Sequence, residues 1–221
     1  MTRAVFERQL NEVQEDMLVM ASMVESALNQ SIEALRLRDV AQARRIIEND
    51  REINKRRYDC EEKCIELISL QAPLASDLRT LISVLHITTD LERMGDHAEG
   101  IARIALMLAD EPPLKPMPDL ARMAELAIEM LHGSVEAYKQ RDTQRARDIV
   151  QRDDTVDELY ERVYHELIMM MVGDQAAIQR CTYMTWVAHN IERVADRATN
   201  ICERVVYLVE GRVQDLNVSK Y

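Results

Sequence analysis

Glycine, proline and the largest aromatics are scarce, with 5 Gly, 5 Pro, 1 Trp and 1 Phe in 221 residues. So few turn formers and bulky strand formers exclude a fold built from many hairpins. The abundance of Leu, Ile, Ala, Met, Glu and Arg describes an all-α chain instead. Basic charge is also short: 28 Lys and Arg against 39 Asp and Glu leave a net charge of −11. That balance excludes the concentrated basic surface a phosphate backbone requires, so no nucleic-acid partner is expected. No apolar run approaches the roughly 20 residues needed to cross a bilayer. The first residues, Met1 to Glu7, lack the apolar core of a signal peptide, and a cytoplasmic location is expected.

A Cys-x-x-Cys pair is missing as well. Cys60, Cys64, Cys181 and Cys202 lie within helical patterns. Cys60 and Cys64 stand one turn apart, but Val163 and Leu167 hold the matching places later in the chain, which favours core packing over a soft metal. Neither a Gly-rich phosphate loop nor a nucleophile with an adjacent base is present, and the chain is not expected to be an enzyme.

What is there is a repeat. Asp90-Leu91-Glu92-Arg93-Met94-Gly95-Asp96-His97-Ala98 returns as Asn190-Ile191-Glu192-Arg193-Val194-Ala195-Asp196-Arg197-Ala198. Ser31-Ile32-Glu33-Ala34 returns as Ser134-Val135-Glu136-Ala137, and Arg38-Asp39 as Arg141-Asp142. Two copies of one unit imply two tandem three-helix bundles, six long helices in all, related by an approximate twofold.

Apolar spacing places the first helix from about Thr2 to Leu37, along Leu10, Val13, Met17, Met20, Val24, Leu28 and Ile32. Asp39 with Gln42 has the form of an N-cap and capping-box partner for the second, which runs to about Leu70. Pro73 is placed in the first turn of the third, which extends to about Ala109 with Leu78, Leu85, Leu91, Met94, Ile101 and Ile104 inward. Residues 110–118 hold four of the five prolines and read as the linker between a first bundle, 1–109, and a second, 119–221.

The repeat also sorts the polar residues. Asp50 corresponds to Asp153, Asn54 to Asp157, Glu92 to Glu192 and Asp96 to Asp196. Glu and Asp four apart project from one helical face and repel each other by a few tenths of a kcal/mol. A cation relieves that repulsion, and if the second and third helices of each half are neighbours, each half gathers three or four oxygen ligands. Such hard donors suit magnesium, calcium, manganese or iron. The competing reading is a salt-bridge network in which Arg93 and Arg193 saturate the acids. His97 matches Arg197 and is expected to be solvated or partner-facing. His86, His165 and His189 have no histidine counterpart. A di-iron enzyme needs two Glu-x-x-His motifs in one bundle core. Only Glu129 to His132 has that spacing, matched by Ser26 to Asn29 in the first half.

Gln71-Ala72-Pro73-Leu74-Ala75-Ser76-Asp77-Leu78-Arg79, followed by the Asp90 to Ala98 motif, resembles the PhoU family of phosphate-specific transport system accessory proteins. The resemblance spans nearly the whole chain. It implies a cytoplasmic negative regulator of phosphate uptake and of the phosphate-starvation response, acting at the inner membrane face. The implied partners are the phosphate ABC transporter, the sensor histidine kinase of its two-component system and, in a homodimer, a second copy. It also implies metal clusters, iron foremost, at Glu-x-x-x-Asp and Asp-x-x-x-Asp motifs. Those carried over are Glu92 with Asp96, Asp153 with Asp157, and Glu192 with Asp196. Asp50 matches too, while Asn54 replaces an acid and Gly100 stands where an asparagine like Asn200 is expected, implying weaker metal binding in the first half.

Overall fold

The structure, a computed structural model, describes residues 3–216. Its elements are α1 (Arg3–Leu37), α2 (Val40–Gln71), α3 (Ala75–Met107), α4 (Pro118–Gln140), α5 (Thr143–Val150), α6 (Asp153–Gly173), a 3-10 turn (Gln175–Ala177) and α7 (Ile178–Glu210). No strand occurs among the described residues. α5 and α6 are the fifth of the six helices, interrupted. At the interruption the ladder tightens to a 3-10 step, with Arg152 N bonding Ile149 O at 2.9 Å.

Three helices pack together in each half: α1 and α2 on α3, then α4, α5 and α6 on α7. The halves join through α3 against α7, with α1 touching α4. One hydrophobic core runs through both. It includes Met17, Met20, Leu81, Leu91 and Met94 from the first half and Met123, Met130, Leu131, Leu167 and Ile201 from the second, all under 2% exposed. Each such side chain contributes about 1.5–3 kcal/mol of burial. At 35 residues, α1 spans about 50 Å.

The corners follow the repeat. Arg38 and Arg141 both take left-handed backbone, φ 57° and 52°. The aspartate after each then caps the next helix: Asp39 Oδ1 accepts from Gln42 N at 2.9 Å, and Asp142 Oδ1 from Arg145 N at 3.0 Å. The box is half-formed, because the Gln42 amide donates to Gln30 O across the corner rather than returning to Asp39. The expectation for Pro73 is corrected. Ala72, left-handed at φ 43°, ends α2, and Pro73 lies outside the helix that begins at Ala75. Leu78, expected inward, is 37% exposed. Pro118 opens α4 rather than closing the linker, a position where its missing N–H loses nothing.

All four cysteines are free thiols buried in the core. Burial pushes the Cys60 thiol up to about 11, and those of Cys64 and Cys202 up to about 12. With so little thiolate, the native protein is expected to leave all four unmodified by an aromatic disulfide reagent at pH 8, and guanidinium to expose them together. Rapid labelling without denaturant would contradict this packing.

Candidate functional site

Asp50 enters the first site from α2 and is only 9% exposed. Gly95 on α3 packs directly over it: a Cβ there would stand 3.2 Å from Ile53 Cγ2 and 3.5 Å from Asp50 Oδ1. Asp50 Oδ2 accepts from Asn54 Nδ2 at 2.7 Å, while Oδ1 is buried with no hydrogen-bond partner. Burial, then the negative charges of Glu99 and Asp96, raise its carboxyl from 3.8 to about 6, and Glu92 adds to the push. Asp50 therefore lies within electrostatic reach of Glu92, Asp96 and Glu99. Glu99, which the Glu-x-x-x-Asp pattern did not include, belongs with them; its signal was the i+3 spacing from Asp96, erased in the repeat by Thr199.

The second site lies at the corresponding positions. Asp153 begins α6 and is 2% exposed. Glu192 on α7 is held above the usual carboxylate range, first by burial, then by the charges of Asp196 and of Asp157 from α6. His189 has no histidine counterpart in the first half, where Thr89 stands. Its Nδ1 nevertheless stands 3.1 Å from Glu192 Oε2, and the i+3 spacing was the available clue.

Arginines already sit on both patches, and in the first Glu99 is also paired with Arg103 at 2.5 Å. Arg93 reaches Asp96 at 3.1 Å and Glu92 at 3.5 Å, and Arg193 reaches Asp196 at 2.8 Å and Glu192 at 4.0 Å. With the side chains so placed, no group of three or more His, Cys, Asp or Glu among the described residues converges closely enough to hold a metal ion. The donor chemistry fits a hard cation, and Asp50 Oδ1 is a buried acceptor with no hydrogen-bond partner. Coordination requires the half-exposed arginines to swing outward and the acids to turn. Glu129 and His132, the di-iron-like pair, are half-exposed and paired with Arg122, Arg152 and Glu25, away from any core.

A second polar constellation lies on the seam between α3 and α7. Asp90 Oδ1 accepts from Arg197 Nη1 and from Asn200 Nδ2, both at 3.1 Å. By the repeat, Asn190 should meet His97 and residue 100, and it does. His97 Nδ1 lies 2.9 Å from Asn190 Oδ1, and a Cβ on Gly100 would stand 3.3 Å from the Asn190 amide. This reciprocity is the signature of a twofold between the halves. It also corrects the expectation for His97, which is tied to Asn190 in the seam rather than free for a partner. The seam half-buries it, and burial lowers its pKa.

No helix among the described residues is long and apolar enough to cross a membrane. The PhoU domain model matches residues 17–105 and again 120–205, the two halves in turn. A phosphate-specific transport system accessory protein PhoU homolog of Aquifex aeolicus is 40% identical over 206 residues, 93% of this chain and 93% of its own length. One of Clostridium acetobutylicum is 37% identical over 98% of this chain and all of its own length. Among solved structures, PhoU from Pseudomonas aeruginosa superposes with a TM-score of 0.90 at 33% identity, covering 94% of this chain and 100% of that one. The phosphate transport system regulatory protein PhoU from Streptococcus pneumoniae gives 0.89 at 34% identity, covering 95% and 99%. With both of its halves matched and relatives this close over nearly their full lengths, the chain belongs to the PhoU family.

Proposed function

We propose that this protein is a negative regulator of phosphate uptake and phosphate-starvation signalling, a cytoplasmic helical adaptor rather than an enzyme. It docks on the phosphate ABC transporter and on the sensor histidine kinase of the phosphate two-component system, as a homodimer peripheral to the inner membrane face. The observation that carries the reading is the acidic patch that recurs in both halves, in a chain whose relatives are named for phosphate transport.

Asp50, Glu92, Asp96 and Glu99 would hold metal in the first half, and Asp153, Asp157, Glu192 and Asp196, with His189 at the edge, in the second. Iron is the metal the family resemblance implies; magnesium, manganese and calcium suit the same oxygens. When bound, the metal supplies positive charge that offsets the repulsion among the acids, stiffening the patch or joining it to an acidic partner surface. A metal-free adaptor is the second reading, favoured by the arginine already seated on each patch.

Metal content separates the two. Protein purified without chelator or nickel resin is expected to retain metal, and Glu192→Ala with Asp196→Ala to lose about half of it. Equal, near-zero metal in both would leave the plain adaptor. For the regulatory role, deletion of the gene is expected to derepress phosphate-responsive genes in high phosphate, and unchanged expression would overturn it.

A further inference from the structure

Where the halves meet, at the end of the molecule that the linker crosses, lies a cleft of about 260 Å³. Its floor is apolar: Ile32 and Leu35 of α1, Leu108, Leu120 of α4, and Met184 and Val187 of α7. Its only polar side chains are four cations, Arg36, Arg38, Lys115 and Arg180, and no carboxylate lines it. On a chain of net charge −11 this is a local inversion.

The four cations are not equivalent. Arg36 is neutralised by Glu33 at 2.6 Å and Lys115 by Glu166 at 2.9 Å. Arg38 has no carboxylate within ion-pair distance among the described residues. Its guanidinium donates to the carbonyl of Glu111, from the left-handed corner that the backbone takes at φ 57°. Arg180, 11% exposed, donates to the next carbonyl, Pro112 O, at 3.1 Å and to Ala176 O at 3.4 Å, with the exposed Asp174 at the edge of ion-pair distance, 3.8 Å. Two guanidinium groups thus converge on consecutive carbonyls at one edge of an apolar cleft. Like charges brought together in this way repel, and each guanidinium has five N–H donors, more than these carbonyls use. An anion at that edge would satisfy both.

We propose that this cleft binds a single-chain anionic amphiphile, with its carboxylate or phosphate head between Arg38 and Arg180 and its alkyl chain along the floor. An apolar body fixed by a few polar groups is the usual composition of a small-molecule site, and the volume lies near the lower end of the ordinary range, roughly 300 Å³. A peptide segment fits less well. Its backbone N–H and C=O groups need partners along their length, and the apolar floor offers none. An alkyl chain has no such need. The linker occurs once, so the repeat supplies no second cleft, and the site is independent of the acidic patches.

The test is titration with decyl phosphate and decanoate below their micelle concentrations, followed by methionine-methyl NMR. Met117 and Met184 line the cleft and report on it among the 13 methionines. Both amphiphiles are expected to shift those two resonances saturably. Arg38→Gln with Arg180→Gln, which keeps amide donors for the linker carbonyls, is expected to weaken binding at least tenfold. Ala121→Phe, an exposed position on the rim, is expected to do the same by filling the mouth, and needs no change in charge or in the core. The proposal is overturned if decanol or decyltrimethylammonium binds as tightly, if inorganic phosphate alone produces the same shifts, or if no saturable shift appears. Displacement of decyl phosphate by a capped peptide of alternating leucine and aspartate would assign the cleft to a protein partner and also overturn it.

Discussion

Asp90→Ala is expected to destabilise the protein by about 2–3 kcal/mol, below the roughly 3–5 kcal/mol of breaking a fully buried ion pair, because Arg197 keeps some contact with water. For a chain of this length that is about 5–10 °C in melting temperature. Asp90 sits in the seam with its side chain 11% exposed and Arg197 at 34%. Burial raises the Asp90 carboxyl, and the bonds from Asn200 and Arg197 pull it back down. Without Asp90, the Arg197 guanidinium and the Asn200 amide lose an acceptor that the surrounding apolar helices do not replace.

The repeat gives the same experiment a control. Across the twofold the corresponding pair is Asn190 with His97, so Asp90→Asn combined with Arg197→His installs on one side of the seam what the protein already uses on the other. The double variant is expected to recover at least half of what Arg197→His alone loses, read as a coupling energy of about 1 kcal/mol from urea unfolding of the four proteins. Additive losses would mean that these contacts do not fix how α3 meets α7.

Much of this was legible in the sequence, because the repeat made each half a check on the other. The caps at Asp39 and Asp142, the apolar stripe of α1 and the gathering of Asp50 with Glu92 and Asp96 all follow from local spacing plus one assumption of neighbouring helices. The seam was not legible. Pairing within each half was inferred from short connections, whereas nothing in the spacing of Asp90 or His97 says that α3 lies against α7. His97 was misjudged for that reason: its partner is 93 residues away, and a substitution at both ends, to Arg197 and Asp90, hides the symmetry. Ala72 was missed because a left-handed backbone is usually left to glycine, and the 3-10 step at Arg152 because its counterpart in α2 is continuous. Glu99 and His189 escaped notice because each occurs in one copy only, the cost of letting recurrence decide which acids and imidazoles matter.

Asp50→Asn should have the opposite sign to Asp90→Ala. A carboxyl that titrates at 3.8 in the unfolded chain and at about 6 when folded binds more protons in the native state between those values. Stability therefore falls as pH rises through that window, and above it the ionised Asp50 withholds about 2–3 kcal/mol. The amide keeps the oxygen that accepts from Asn54, adds donors toward the neighbouring acids and removes the titration. In chelator-treated protein, the variant is expected to be more stable than wild type by about 2 kcal/mol at pH 7.5, with the gap closing toward pH 4. Urea midpoints across that range measure it. A variant less stable than wild type at pH 7.5 without metal would mean that Asp50 is better satisfied than its bare Oδ1 suggests. With added metal the order is expected to reverse, because a cation at the patch stabilises the ionised carboxylate and gives an amide much less. An acid that weakens the empty fold and would strengthen a filled one would make the stability of the patch depend on cation supply.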